Sequence, residues 1–254
     1  MRLLFVKEGA AIWSSHLDLM RALMRSFRRA GIELKHSQGF TPHPELSILM
    51  PLSVGVESQC EIAEFTLAEG CEIPAEEIAP RLNPVLPAGI RAIESWEGGQ
   101  KAGKLAWLRA RLTLKYEGSG IREQGSGDGG TDSSTPLRFA QNDRLETLTA
   151  LFQRPALVVE KHGKKGPTEI DIAPMIRELT VGYDHAPGSG DDRTAPPRAE
   201  TDRLVLEALV AAQNPTLNPL LLVTAIETYL PEYKPDRAVC RRLEIYDADL
   251  RVFR

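Results

Sequence analysis

The stretch from Ser14 to Ser47, SSHLDLMRALMRSFRRAGIELKHSQGFTPHPELS, leaves the backbone few choices. Ser15 is a good helix N-cap, Asp18 stands three residues later as a weaker capping-box partner, and Gly31 occupies the place of a left-handed C-cap residue. The spacing predicts a helix from His16 to Ala30. His16, Leu17, Met20, Leu23, Met24, Phe27 and Ala30 recur on one face as a core stripe, and Asp18, Arg21, Arg25, Arg28 and Arg29 fall on the other as a basic one. Ile32 to His36 reads as a short strand. Ser37 to Pro44 can continue neither element, because each proline lacks an N–H and biases the residue before it toward extended backbone.

Around this segment the apolar periodicity alternates between strand and helix. Arg2–Lys7 is a run suited to a buried strand, Leu46–Leu52 and Gln59–Leu67 are extended, Pro74–Asn83 is helical, and Gly89–Trp96 alternates as a strand. That is β-α-β-β-α-β. Leu105–Tyr116 follows as a long strand, then Leu145–Gln153 as a helix, Ala156–Lys161 and Thr168–Ile172 as strands, and Pro174–Leu179 as one helical turn. Arg203–Ala212 fits a buried strand or a helix equally well, Leu217–Leu230 is helical, and Arg241–Tyr246 is a strand. The segments at about 118–143 and 184–202 are rich in Gly, Ser, Asp and Thr and hold little to bury, so they read as flexible insertions. The expected class is α+β, with two tandem ferredoxin-like, split β-α-β domains at 1–99 and 100–254.

Composition narrows the function classes. The 254 residues are 42% hydrophobic, enough for a substantial core, with no apolar run long enough to span a bilayer and no signal-peptide pattern, so a cytoplasmic location is expected. Cys60, Cys71 and Cys240 stand far apart and in no CxxC spacing, which supports neither a disulfide framework nor a sequence-local metal site. A formal net charge of −4 argues against indiscriminate nucleic-acid binding, while a local arginine stripe still suits phosphates.

In SHLDLMRALMRSFRRAGI, SQGFTPHPELSILMPLSVGVES and, more loosely, LVVEK, EIDIAP and RRLEIY, the chain resembles a bacterial family described as radical-SAM-linked or radical-SAM-associated (DUF2344). Members of that family occur beside or fused to a radical S-adenosylmethionine protein, often near genes for ribonuclease G-type and ribosomal proteins. The resemblance implies a radical-SAM partner and points to RNA. This sequence has no CxxxCxxC triplet, so a cluster and its radical chemistry would belong to the partner, and no cofactor is expected of this chain. The tandem split plan is also similar to that of CRISPR repeat-processing endoribonucleases, a likeness at the level of fold.

The candidate chemistry sits in the same opening segment. His16, in the first turn, would be kept neutral by the helix dipole and could serve as a base; the ordinary alternative is a packing histidine. His43 is a second acid–base candidate. Convergence of His16, His36 and His43 on a metal lacks any recognisable ligand spacing, so no metal is expected. Arg21, Arg25, Arg28 and Arg29 could neutralise phosphates or simply form a solvated face, and Ser37, Gln38, Gly39 and Phe40 could hold a substrate, Phe40 by stacking or else by tucking into the core. The basic turn around Lys164 and Lys165 fits a hairpin tip over RNA as well as a soluble turn. The reading that follows is an accessory protein that binds or presents a substrate, RNA above all, to a radical-SAM enzyme. The alternatives are a metal-independent RNA-processing or RNA-modifying enzyme using histidine acid–base chemistry, and a structural interaction subunit.

Overall fold

The computed structural model describes residues 1–116, 135–163, 166–183 and 203–254. Its elements in chain order are β1 (Arg2–Lys7), α1 (His16–Arg29), β2 (Leu46–Ile48), β3 (Glu57–Phe65), α2 (Ala75–Leu82), β4 (Ile90–Trp96) and β5 (Leu105–Lys115). They continue with α3 (Thr135–Phe152), β6 (Val158–Gly163), β7 (Gly166–Asp171), β8 (Ile176–Tyr183), β9 (Arg203–Ala211), α4 (Leu221–Tyr229) and β10 (Arg237–Asp247). This is a mixed α and β chain in which most strand pairs are antiparallel. Two compact units interleave along it: Met1–Ala110 with Ala212–Asn214 and Cys240–Arg254, and Arg111–Ala211 with Pro215–Val239. The expected division at residue 99 treats the chain as two consecutive pieces, whereas residues 240–254 belong with the first unit.

In the first unit, α1 is bounded as its caps dictate. Ser15 Oγ accepts from the Asp18 N–H (3.2 Å), and Gly31 turns the chain out of the helix at φ +68°. Strand order is β4-β1-β3-β10-β5, with β1 antiparallel to both of its neighbours. On its outer side β3 takes two partners in succession, β10 in parallel at Glu57 and Ser58 and β2 antiparallel at Ala63 to Phe65. Leu3 and Phe5 of β1 join Leu19, Leu23 and Phe27 of α1, Phe65 of β3 and Ile78 and Leu82 of α2 in one buried cluster. The Phe27 and Phe65 rings meet at 4.9 Å with their planes tilted by 57°, an arrangement favoured by the ring quadrupoles.

The second unit places β9 between β5 and β8, with β6 and β7 as a separate hairpin. Leu148 and Leu151 of α3, Leu222 and Ile226 of α4, and Leu204 and Leu206 of β9 are buried. Tyr229 Oη accepts from the Val158 N–H (3.0 Å) and donates to the Val158 carbonyl (3.1 Å), tying α4 to β6.

Several expectations are corrected. Leu17 is exposed and Leu19 is buried, because the two lie roughly 200° apart around a helix and the core stripe runs through Leu19, Leu23 and Phe27. Ile32–His36 forms only isolated bridges, Leu34 to Leu67 and His36 to Pro44, and at the second the facing Pro44 has no N–H to donate. Residues 135–143, read as part of a flexible insertion, open α3 with Pro136 in its first turn, where a missing N–H costs nothing. Pro174–Leu179 is not a helical turn: a 3-10 turn at Ala173–Met175 gives way to β8. Arg203–Ala211 resolves as a strand. The rest of the first insertion, all of 184–202, and Lys164 and Lys165 lie outside the described residues. Among the described residues no helix is long and apolar enough to cross a membrane.

Candidate functional site

One turn apart on α1, Arg25 and Arg28 line a groove of about 580 Å³ whose other walls include Met24, Ile32, Leu34, His36 and Pro44. The same two arginines also border a smaller hollow of about 370 Å³ with Arg29 and Pro87. The four cations of the stripe are not equivalent. Arg21 lies 3.7 Å from Asp18, and Arg29 donates to the Val85 carbonyl. Arg25 uses only its Nε, on the Arg21 carbonyl (3.1 Å), and among the described residues Arg28 makes no ion pair. The Ser15 hydroxyl, which donates to Asp18 Oδ2 at 2.6 Å, holds the Asp18 carboxyl below its usual range, with Arg21 and Arg25 acting the same way. Asp18 therefore stays ionised and offsets Arg21 and, more weakly, Arg25, while Arg25 and Arg28 form no ion pair within 4 Å among the described residues.

The loop that follows is closed at its neck and open at its tip. The Ser37 N–H donates to the His43 carbonyl (2.9 Å), the His43 N–H to Ser37 Oγ (3.3 Å), and the Glu45 N–H to the Lys35 carbonyl (2.7 Å). His43 Nδ1 lies 3.1 Å from Ser37 Oγ and 3.2 Å from the Thr41 carbonyl, so the ring is oriented by its own loop. Gln38, Gly39 and Phe40 are exposed at the tip, Phe40 fully. That decides the aromatic's place: it projects into solvent rather than the core. Pro44 lines both the α1 groove and a second hollow of about 520 Å³, which also holds His43, Ser47, Glu64 and Arg2. Residues 36–44 are thus a ridge with a hollow on either side.

The three histidines do not converge. His16 is half-buried in the first turn of α1 with Nδ1 buried and without a partner among the described residues, His36 lines the α1 groove, and His43 lines the second hollow. Among the described residues no set of three His, Cys, Asp or Glu side chains stands at metal-binding spacing.

Sequence reasoning missed a buried charge cluster in the first unit. Lys7, Glu61 and Arg242 sit on β1, β3 and β10, and all three are buried. Lys7 Nζ donates to the carbonyls of Ser14 (3.1 Å) and Ile12 (3.3 Å). Arg242 donates to Glu61 Oε1 (3.2 Å) and to the carbonyls of Met50 and Pro51 (both 2.9 Å), while Glu61 Oε2 has no partner among the described residues. Burial holds the Lys7 ammonium below the usual lysine range, Glu61 opposing and Arg242 reinforcing the shift. Lys7 directly after the apolar run Leu3 to Val6, within a fully buried strand, is the one local signal of this cluster; nothing near Glu61 in sequence names its partner.

Residues 1–219 match the model of a family described as an uncharacterized protein conserved in bacteria, DUF2344. A comparison with curated proteins finds no match.

Proposed function

We propose that this chain, which belongs to the DUF2344 family of proteins conserved in bacteria, is an RNA-binding accessory protein that presents its ligand to a radical-SAM enzyme. The observation that carries the RNA reading is the joining of two arginines without an ion pair among the described residues, Arg25 and Arg28, to an apolar-walled groove that runs up to a ridge tipped by the exposed Phe40. Phosphates are held by guanidinium groups, and unstacked bases are held by aromatic faces and apolar walls. The partner rests on the sequence resemblance. A surface for it is available in Trp13, Leu17 and Val54, large apolar side chains left exposed in the same unit, with the Trp13 ring packed over Gly55.

The fold belongs to the same proposal. In the strand pairing β4-β1-β3-β2 are successive neighbours, and so are β10-β5-β9-β8. In each set one helix follows the first strand and another precedes the last, which supports two split β-α-β units with the β6–β7 hairpin inserted in the second.

The test is binding of short single-stranded RNA titrated across salt. Arg25→Ala with Arg28→Ala should weaken every RNA alike and flatten the salt dependence, each lost phosphate contact reducing the slope by about 0.7. Phe40→Ala should weaken binding without changing that slope. Salt-independent binding, or arginine variants that behave as wild type, would remove the nucleic-acid reading.

A further inference from the structure

The hollow on the other side of Pro44 is built differently from the arginine groove. Ser47 of β2 and Glu64 of β3 are directly opposed across the strands, and Glu64 is in turn opposed to Arg2 of β1. Three polar side chains therefore form one row, with neighbouring Cβ atoms about 5 Å apart. Arg2 is only 5% exposed. Its Nε and Nη2 both donate to a single carboxylate oxygen, Glu64 Oε1 (2.9 and 2.7 Å), Nη2 also reaches the Gln100 carbonyl, and the Phe253 ring lies 5.1 Å from the guanidinium carbon. A Cβ at Gly99 would stand 2.7 Å from Arg2 Nη1 and 2.8 Å from the Arg254 carbonyl, so the backbone there is shaped around the guanidinium.

The consequence falls on Glu64. One of its oxygens is fixed by a buried cation, and the other, Oε2, takes no hydrogen bond among the described residues while the side chain stays 37% exposed on the hollow. A carboxylate so held turns a free acceptor oxygen to the hollow, and the Ser47 hydroxyl beside it can donate. The pair matches a flat edge that carries an acceptor next to adjacent N–H donors. Among the RNA bases guanine has that edge, with O6 followed by N1–H and N2–H₂. Adenine, cytosine and uracil do not present two neighbouring donors. At about 520 Å³ the hollow also has the room of an ordinary small-ligand pocket.

We propose that this hollow is a guanine-reading subsite, in which Glu64 accepts from the N1–H and N2–H₂ groups and Ser47 donates to O6. The assignment rests on the RNA reading above and gives it a sequence preference. Phosphates in the Arg25 and Arg28 groove fix the position of the strand, the strand crosses the ridge beside Phe40, and the base is read on the other side of Pro44.

The experiment uses the full chain and four short single-stranded RNAs, an oligouridylate and the same strand carrying one central G, A or C. Wild type should bind the G-containing strand about tenfold more tightly than the other three. Glu64→Gln keeps an oxygen for Arg2 but sets an N–H₂ against the guanine donors, and should collapse that preference to within about twofold, with thermal unfolding reporting on the fold. Ser47→Ala, an exposed position where folding is not at stake, should lower the preference as well. Arg25→Ala should weaken all four strands and keep the preference. Equal affinity of wild type for the four strands, or a preference that survives Glu64→Gln, overturns the guanine subsite and leaves the RNA reading intact. Failure to bind any of the four overturns both.

Discussion

Arg242 reaches Glu61 across 181 positions of sequence, and both are buried. Removing one member of such a pair strands the other charge, so Glu61→Leu should destabilise the first unit by about 3–5 kcal/mol. Arg242→Met should cost a similar amount and the double variant clearly less than the sum, as read from urea unfolding midpoints; strict additivity would show that the two are not coupled. A second residue governs acid sensitivity. Asp247 accepts from the N–H groups of Arg251 and Asp249 (both 2.9 Å) and from Gln100 Nε2 (3.0 Å), and these bonds, Arg251's N–H foremost, hold its carboxyl below the usual range. Because the folded value is the lower one, the contribution is full above about pH 3.9, the value of an unfolded aspartate, and is lost as pH falls through the folded value. Asp247→Asn should therefore flatten the acid limb of thermal stability measured from neutral pH downward. At this scale the sequence was informative where the signal is local: Ser15 and Asp18 name each other three residues apart, and Gly31 by itself marks the exit from the helix. It was silent on Glu61, Glu64 and Arg2, whose roles depend on which strands become neighbours.

Among the elements, α1 was legible nearly to the residue because its caps and its stripe agree, and its Phe27 is the clearest packing position. Phe27→Ala should cost about 3–5 kcal/mol in chemical denaturation, since the ring is fully buried against Phe65. What periodicity could not supply was the treatment of strand edges. In the first unit β4 is an outer strand, and its Ala92 turns both backbone groups away from β1 toward the side chain of Asn83. The Asn83 amide donates to the Ala92 carbonyl (3.0 Å) and its oxygen accepts from the Ala92 N–H (2.9 Å), imitating a neighbouring strand at one position. Asn83→Ala should destabilise by about 1–2 kcal/mol and leave an unprotected edge, so light scattering near the unfolding transition should rise relative to wild type. Helix α3 was read too short for a related reason: the polar composition of the preceding stretch hid the start at Thr135–Pro136.

For the molecule as a whole, the alternation of strands and helices carried the α+β class, but residue order concealed how the parts are completed. The first unit needs residues 240–254 for β10, for the buried Phe253 and for Arg242. A fragment of residues 1–110 should accordingly show no cooperative thermal transition, while the same fragment joined through a flexible linker to residues 240–254 should recover one. This interleaving also sets a clock on synthesis. A ribosome adding about 5–20 residues per second takes on the order of ten seconds to make the roughly 130 residues between Ala110 and Cys240. Throughout that interval the nascent first unit has its arginine stripe and its ridge already outside the tunnel, yet lacks the strand that seals β3. Completion of the first unit during translation has to wait for that strand, so the closing of its sheet is timed by residues made about 130 positions later.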